Sequence, residues 1–489
     1  MANNFRGLTR RDMMLASAAL GAAAVSPSPL LAQSPASDPA TTALPARGQF
    51  IIRGATILTM DPNLGDIARG DIHVRDGAII AVGANIQAPG AEIIDAANMI
   101  ALPGLIDTHW HMWGSVARNM AGEDAKTGYF LFARAVGDVF TAEDNARGVR
   151  LSFAEAIHGG VTTVHNWSHN LPRPEFADAE LAVHKAYGGR ALFGYGYAGV
   201  GMVDQPVNLA DLERVRKQWI AASEGLTTLG ICSRGPESNN IDICKREWEL
   251  ARKLGLRIST HMGTSATRVK AREGVKALAS AGLLGPDVIL VHDTNTSLDD
   301  IDLVAKTKTF VSMSPYTEMR TGFGIPPILQ MLDRGVSVSL SIDTIVLSGN
   351  ADMFAIMKGI QNVGDGSKPS EFALTPRKAL EMATIEGARA LGIEDRVGSL
   401  KPGKRADIIL VRSDDLNMSP ANDPVRMIVQ SAQPANVDTT IIDGRILKRG
   451  GRLLHIDTKR IMADAAETMG RVRAGVEKVL REGGVTVVR

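Results

Sequence analysis

Cysteine, net charge and long apolar runs are all scarce in this sequence, and each shortage excludes a class of protein. Two of the 489 residues are cysteines, Cys232 and Cys244, which excludes a disulfide scaffold and leaves two ordinary buried thiols as the expectation. A formal net charge of +1, with acids and bases mixed along the chain, excludes a dedicated nucleic-acid or membrane-surface protein. No apolar run is long enough to span a bilayer. The 45% of apolar residues predict a large core, and 49 glycines suit many tight connections.

Residues 1–32 have the features of an export signal. Arg10-Arg11 precedes the apolar run Met13–Val25, and a small-residue site follows at Leu30-Leu31-Ala32. The pattern resembles a twin-arginine signal, which implies the twin-arginine export machinery as a partner. The mature chain would then be periplasmic or secreted, with no stable membrane association. A membrane anchor or a disordered tail is the alternative. Residues 33–48 are rich in Ser, Pro and Ala and are predicted to be a linker.

The remaining chain divides by its hydrophobic pattern. Residues 49–101 and 396–455 have a strand-like texture, with a hairpin signal at Asp76-Gly77, and are predicted to form one composite β-domain. Between them, strands and helices alternate over residues 102–395, which predicts a (β/α)₈ barrel with a parallel sheet. The charged tail, residues 456–489, is predicted to be helical and to pack outside the barrel.

Several helix starts can be located from their capping residues. Thr141 with Asp144, and Ser297 with Asp300, form capping-box patterns. Thr375-Pro376 places a proline at the first helical position of another helix, which is predicted to end at Gly392.

Four predicted barrel strands end in histidine or aspartate. His109 and His111 are two apart on one strand, so both are expected to face the barrel interior at the strand end. Three further strands end in His261, His292 and Asp343. A lone His-x-His pair is weak evidence, and any one of these residues could be a satisfied polar core group. Four strand ends with the same chemistry favour a metal site at the mouth of the barrel.

The order of these residues resembles that of the amidohydrolase superfamily, and more narrowly the branch of cytosine deaminase and the triazine hydrolases. Pro103–His109 is similar to the first-strand signature of the family, and Gly398–Asp407 to its return into the β-domain. The resemblance implies a TIM barrel with a smaller β-sandwich domain formed by both chain ends. It also implies a small-molecule substrate and a homo-oligomer.

The resemblance implies a role for each of the five residues. His109, His111, His261 and Asp343 would ligate the metal. Asp343 would also accept the proton of the attacking water and pass it to the leaving group. His292 would polarise the substrate carbonyl and stabilise the tetrahedral intermediate.

One divalent metal is expected in each chain. Relatives with two metals bridge them through a carboxylated lysine after the fourth strand, and the comparable stretch here, Thr228–Arg234, contains no lysine. Three imidazoles and one carboxylate suit Zn²⁺ best, with Fe²⁺ possible.

The sequence departs from the family pattern at Thr264. Aromatic deaminases of this branch usually carry glutamate there, three residues after the third metal-binding histidine, and threonine cannot do its acid–base work at neutral pH. Glu318, after the seventh strand, is a candidate catalytic substitute. Its alternative is a salt bridge to Arg320.

Four residues are candidates for substrate binding: His165, His169, Trp113 and Thr264. The two histidines follow the second strand, where loop backbone could satisfy them instead.

Several functions remain open from the sequence. The favoured one is hydrolysis of a non-peptide C–N bond in an amide, urea, carbamate or cyclic imide. The first alternative is a deaminase of a heterocycle that uses a substitute carboxylate. The second is a catalytically inactive barrel that acts as a binding protein, which the complete ligand set disfavours. A lactonase or decarboxylase on the same barrel also stays open.

Overall fold

Two sheets organise the part of the chain that a computed structural model describes, residues 38–124, 127–199, 204–368 and 370–482. The predicted export signal lies outside these residues. In chain order the strands are β1 (Gln49–Leu58), β2 (Asp66–Arg75), β3 (Ala78–Gly83), β4 (Glu92–Asp95), β5 (Met99–Pro103), β6 (Leu105–Trp110), β7 (Val161–Ser168), β8 (Arg190–Tyr195), β9 (Thr227–Ser233), β10 (Arg257–Met262), β11 (Val288–His292), β12 (Phe310–Met313), β13 (Val338–Leu340), β14 (Ile408–Arg412), β15 (Val437–Ile442), β16 (Arg445–Arg449) and β17 (Arg452–Leu453).

The helices surround the eight-stranded sheet, which is formed by β6 to β13. Within the described residues they are α1 (Tyr129–Val139), α2 (Ala142–His158), α3 (Pro174–Tyr187), α4 (Leu209–Val215), α5 (Ile241–Leu254), α6 (Ala266–Arg272), α7 (Gly274–Ser280), α8 (Leu298–Thr307), α9 (Pro315–Arg320), α10 (Ile328–Asp333), α11 (Ile345–Ser348), α12 (Met353–Ser367), α13 (Pro376–Met382), α14 (Ile385–Leu391), α15 (Pro424–Arg426) and α16 (Thr458–Glu482). Among them, none has the length and apolar character that crossing a membrane requires.

Strands β6 to β13 form the predicted barrel. Each of the eight pairs in parallel with the next along the chain. The first and last strands meet through a parallel bridge between Trp110 and Asp343. The Asp343 N–H donates to the His109 carbonyl at 2.8 Å, and the His111 N–H donates to the Asp343 carbonyl at 2.7 Å. The backbone that closes the barrel therefore belongs to three of the candidate metal ligands.

The other nine strands form a separate sheet from both chain ends, as predicted. Its centre is the antiparallel pairing of β5 with β14, in which Leu102 lies opposite Ile409. The β2–β3 hairpin turns at Asp76-Gly77, and both residues have positive φ, 51° and 83°, as a two-residue hairpin turn requires. This sheet has its own apolar core, which includes Phe50 and Ile72.

Buried charges connect the amino ends of the barrel strands to the β-domain. Arg190, the first residue of β8, is 2% exposed and donates two hydrogen bonds to Asp407, at 2.7 and 2.9 Å. Asp443 lies 3.5 Å from Arg190 and also accepts from Arg405 at 2.5 Å. Each buried charge in this network has a partner of opposite sign, so the network is structural.

Both predicted capping boxes are present. Thr141 caps α2 with Asp144, and Ser297 caps α8 with Asp300; in each box the side chains exchange hydrogen bonds with the opposite backbone N–H.

The helix predicted from Thr375 to Gly392 is wrong in one respect, because it is two helices. Thr375 caps α13 and Gly392 ends α14 in a left-handed conformation, but the helix breaks at Ala383 and Thr384. The Ala383 carbonyl accepts from the N–H of Ile106 in the first barrel strand at 2.9 Å. That tertiary hydrogen bond needs a carbonyl that a continuous helix would use internally.

The two segments that flank the β-domain contact the barrel. Asp38 forms a buried ion pair with Arg150 of α2 at 2.7 Å, and Thr41 pairs with Ile456 of the other flanking segment. At the other end, α16 buries Val472 in an apolar cluster with α1.

Candidate metal centre

The carboxyl ends of the barrel strands bring together all five residues predicted to form the centre. His109 lies on β6 and His111 directly follows it; His261 lies on β10, and His292 ends β11. Asp343 follows β13 and has φ of 64°, while His292 has φ of 73°. Left-handed backbone at non-glycine residues is strained, and such strain is typical of functional sites.

The facing atoms of these side chains have the spacing of metal ligands. The Nε2 atoms of His109 and His261 are 3.3 Å apart. Asp343 Oδ1 lies 3.1 Å from His109 Nε2 and 3.3 Å from His111 Nε2. Ligand atoms around a tetrahedral zinc ion with bonds of about 2.0–2.1 Å are separated by roughly 3.3 Å. Two overlapping groups that could hold a metal share His109: one adds His261 and His292, the other His111 and Asp343.

The electrostatics of the site also fit a cation. Burial and the neighbouring imidazoles lower the pKa of His109 and His261 well below the ordinary value, and burial lowers the pKa of His111 to about 3. The three rings are therefore neutral and offer lone pairs. Asp343 is 3% exposed, and its ion-pair partners among the described residues are all imidazoles. A buried carboxylate among neutral rings is costly unless a cation joins them, so the donor set fits a divalent metal.

Asp107 and a bulge in β6 position the first two candidate ligands, His109 and His111. The Asp107 carboxylate accepts from the N–H of His109 at 2.9 Å and from that of Ile342 at 2.8 Å, which ties the two strands together beside Asp343. The pairing of β6 with β7 shifts register between Asp107 and Trp110. The extra residue turns Thr108 inward, where its hydroxyl contacts the hydroxyls of Ser312 and Ser339 at 2.7 and 2.9 Å.

Glu318 lies behind His292. Its Oε1 is 3.2 Å from His292 Nδ1 and accepts from the Ser314 N–H at 2.8 Å, and its side chain is fully buried. Burial acts to lower the pKa of His292, but the Glu318 hydrogen bond and the charge of Asp343 outweigh it, and the net shift is upward. Glu318 has no exposed surface and contacts the centre through His292, and its catalytic role stays a prediction.

His165 lies deeper in the barrel than the metal ligands. Its Nδ1–H donates to the Thr108 carbonyl at 2.9 Å, and its Nε2 lies 3.6 Å from the thiol of Cys232. Burial raises the pKa of Cys232 well above its usual value, so the thiol is neutral. Cys232 and Cys244 are both free and buried, as expected.

The other predicted substrate-binding residues lie closer to the mouth. His169 is 7% exposed, and its ring centre is 4.3 Å from that of His111. The Trp113 indole N–H donates to His169 Nδ1 at 3.2 Å and orients that ring. Thr264 is half-buried in the turn after β10. Their roles in binding stay predictions.

Several residues near the mouth were missed at the level of sequence. The Phe323 ring lies 5.2 Å from His292, and Phe130 stacks on Phe323 at 5.9 Å. Tyr197 lies 5.2 Å from His169, and the Arg234 guanidinium lies over the Tyr197 ring at 3.7 Å. Tyr197, Arg234 and Phe323 are on loops, which have no periodic pattern that could have indicated them, and Phe130 is an exposed residue near the start of α1.

Comparison with known proteins places the chain in a family. The model of the amidohydrolase family matches residues 100–447, from β5 through the whole barrel to β16. The chain belongs to the amidohydrolase family. Amidohydrolases are metal-dependent, which agrees with the donor set described above.

Curated relatives cover almost the whole chain. It is 31% identical over 436 residues to the 5'-deoxyadenosine deaminase of Methanosarcina mazei, covering 87% of this chain and 99% of that protein. It is 30% identical to the 5-methylthioadenosine/S-adenosylhomocysteine deaminase of Symbiobacterium thermophilum, covering 89% and 100%.

Solved structures share the fold. The zinc-bound adenosine deaminase of Xanthomonas campestris has a TM-score of 0.80 at 23% identity, covering 88% of this chain and 100% of that one. The zinc complex of atrazine chlorohydrolase from Arthrobacter aurescens has a TM-score of 0.76 at 21% identity, covering 86% and 99%.

Together the family and its relatives establish the reaction class. The chain is a hydrolytic enzyme that acts on carbon–nitrogen bonds other than peptide bonds, as the residue pattern predicted. This result sets aside the alternative of an inactive binding barrel.

Proposed function

We propose that this amidohydrolase uses one divalent metal per chain, zinc before iron, to hydrolyse an amide, urea, carbamate or cyclic imide of a small molecule. One observation carries the choice: Thr264 occupies the position at which deaminases of this branch carry glutamate, while all four ligands are present. Hydrolysis of an acyl C–N bond needs no carboxylic acid there, because no ring nitrogen has to be protonated.

The residues divide the chemistry among them. When bound by His109, His111, His261 and Asp343, the metal supplies the Lewis acidity that makes water nucleophilic at neutral pH. Asp343 Oδ2 points toward His292, 4.0 Å from its Nε2, and is the base that accepts the water proton and returns it to the leaving nitrogen. His292 donates from Nε2 to the developing oxyanion.

The test is product analysis on a panel of substrates. The zinc-loaded chain is incubated with amides, ureas, carbamates, cyclic imides and aminoheterocycles. We expect turnover of at least one acyl compound. An amide, urea or carbamate should release an amine or ammonia, and a cyclic imide should open to an amide that carries a new carboxylate. Turnover confined to aminoheterocycles, with ammonia released and the ring kept, would contradict the proposal.

A second candidate function is deamination of a heterocycle, and the curated relatives support it because they are deaminases. In this case the His292–Glu318 pair is the substitute acid, and the proton reaches the ring nitrogen through His292.

Thr264→Glu separates the two candidates. If the chain is an acyl hydrolase, Thr264→Glu is expected to lower the activity on its best acyl substrate or to leave that activity unchanged. If it is a deaminase with a substitute acid, Glu318→Gln abolishes deamination, and Thr264→Glu restores part of it in the double variant. Thr264→Gln, which has a similar size but no acid, is the matched control.

The cellular location and assembly of the enzyme complete the proposal. Arg10-Arg11 and the apolar run after it support twin-arginine export to the periplasm or beyond. The double variant Arg10→Lys, Arg11→Lys is expected to stay in the cytoplasm. Export of that variant would count against the twin-arginine route. The proposed homo-oligomer is tested by light scattering on the mature chain.

A further inference from the structure

The side chain of Asn295 joins three segments beside the metal centre. Asn295 is half-buried in the turn after β11, three residues beyond His292. Its Nδ2 donates to the Gly263 carbonyl and to the Phe323 carbonyl, each at 2.8 Å. Because both partners are carbonyl oxygens, the amide nitrogen must face them, and both of its hydrogens are used. One amide therefore holds together the segments that follow β10, β11 and α9.

The backbone of the same turn is bonded to the end of β10. The Asp293 N–H donates to the Met262 carbonyl at 2.8 Å, and the Asn295 N–H donates to the Gly263 carbonyl at 2.9 Å. A Cβ at Gly263 would lie 2.7 Å from the Asp293 Cα, so only glycine lets the two turns approach this closely. These contacts align the ends of two strands that carry histidines of the metal centre.

The turn needs this support because the backbone at His292 is strained. The φ of His292 is 73° and that of Asp293 is 47°, which makes two successive left-handed residues that are not glycine. Such a backbone persists only where the surrounding structure holds it. Glu318 fixes the His292 ring at Nδ1, whereas the bonds of Asp293 and Asn295 fix the backbone that follows it.

Phe323 connects Asn295 to the His292 ring itself. The two ring centres are 5.2 Å apart, with 68° between the planes. Phe323 lies between two glycines with positive φ, so the stiffness of the chain does not fix its place. Its N–H donates to the Glu318 carbonyl at 2.9 Å, and its carbonyl accepts from Asn295. Without the Asn295 amide, the backbone of Phe323 would keep only the first of these bonds.

We propose that Asn295 is a positioning residue, whose amide holds the turn after His292 and the Phe323 ring so that His292 Nε2 stays directed at the substrate oxygen. Asn295 acts through His292 and does not itself contact the substrate. The inference rests on the proposed function, which assigns His292 as the oxyanion donor. A misplacement of about 1 Å in a catalytic group costs on the order of 10²-fold in rate, which sets the size of the expected effect.

The first measurement is hydrogen–deuterium exchange of the zinc-loaded full chain, read by mass spectrometry, and it needs no activity. Asn295→Ala is compared with Asn295→Asp, which keeps the size of the side chain and removes its donors. Asn417→Ala is the matched control. Asn417 Nδ2 also donates to two oxygens, the Ser431 carbonyl and Asn436 Oδ1, both at 2.9 Å, but it lies between β14 and β15.

Exchange in residues 291–296 and 321–325 is expected to be about tenfold faster or more in both Asn295 variants, because those segments contain the N–H donors that the amide supports. Peptides from β6 and β13 should exchange as in the wild type, and Asn417→Ala should leave all of these peptides unchanged. Unchanged exchange in residues 291–296 overturns the inference. So does a failure of both Asn295 variants to fold, since Asn295 would then serve stability alone.

The second measurement asks whether the effect on rate passes through His292. The values of kcat and KM are determined for the wild type, Asn295→Ala, His292→Asn and the double variant, on the acyl compound of the panel that the wild type hydrolyses fastest. Asn295→Ala should lower kcat by about 10–100-fold, with KM within about threefold and the zinc content retained. In the His292→Asn background the same substitution should cost less than about twofold. Equal losses in the two backgrounds overturn the inference, and Asn417→Ala should keep the wild-type kcat.

The two measurements separate this inference from the proposed function. If only aminoheterocycles are turned over, the proposed function fails, and the same set of variants is measured on the best of them. Coupling of Asn295 to His292 there still supports the positioning role. If no compound on the panel is turned over, the proposed function fails and the exchange result alone decides the inference. Acyl hydrolysis with equal losses in the two backgrounds supports the function and counts against the role of Asn295.

Discussion

The two ends of the barrel treat buried charge in opposite ways. At the amino end, Arg190 and Asp407 neutralise each other through two hydrogen bonds, and Asp443 extends the network to Arg405. At the carboxyl end, Asp343 is equally buried but lies against His109 and His111, which burial keeps neutral. The first arrangement is complete without a ligand, whereas the second is completed by a cation. The difference separates stability from function at the two ends of one barrel.

The largest expected effect on this comparison comes from a substitution at the carboxyl end. His109→Ala removes the ligand shared by both metal-binding groups. We expect loss of the metal and a fall in kcat of about 10³-fold, because a metal supplies several kcal/mol to the transition state. Elemental analysis and kcat on the same preparation are the measurements. Full activity in a metal-free variant would refute the assignment, and a chelator should reproduce the loss in the wild type.

At the amino end, the same kind of substitution should act on stability alone. Arg190→Met leaves the Asp407 carboxylate buried without its main partner and should lower the free energy of unfolding by about 3–5 kcal/mol. Denaturant unfolding measures this loss, and the metal content per folded chain should not change. The double variant Arg190→Met, Asp407→Leu should recover part of the stability. A variant that keeps its stability but loses its metal would reverse the comparison.

Substitutions of His292 and Glu318 should separate metal binding from catalysis. His292→Asn is expected to retain the metal and lose about 10²–10³-fold in kcat, as removal of an oxyanion donor does. Glu318→Gln should lose roughly 10–100-fold, since it only orients that ring. The double variant should be little worse than His292→Asn. Additive losses would mean that Glu318 acts on the substrate independently.

The smallest expected effect comes from another buried acid, Glu180. Glu180 accepts hydrogen bonds of 2.8–2.9 Å from Asn145, Asn166 and Ser168, and burial raises its pKa to about 7. Because its pKa is higher in the folded state, its contribution to stability is complete below about pH 4.5 and is lost as pH rises through about 7. The loss is at most roughly 3 kcal/mol. Unfolding curves from pH 4.5 to 8 should show this slope, and Glu180→Gln should flatten it. An unchanged slope in the variant would assign it to other groups.

Much of the fold and of the site could be read from local patterns. The capping boxes at Thr141 and Ser297 were correct because their hydrogen bonds span only three residues. The five metal-centre residues come together because each lies at a strand end, and parallel barrel strands all end at the same edge. The helix break at Ala383 was not predictable, since its cause is the N–H of Ile106, 277 positions away in the chain.

The sequence alone determined the barrel and the composite β-domain and predicted the candidate ligand set, because periodicity and strand-end chemistry are local properties. Only the tertiary structure decided that Glu318 lies behind His292, that His165 lies beside Cys232, and that Arg234 stacks on Tyr197. These contacts join loops and strands with no fixed spacing in the chain. They depend on how eight strand ends pack around one axis, which no stretch of residues encodes by itself.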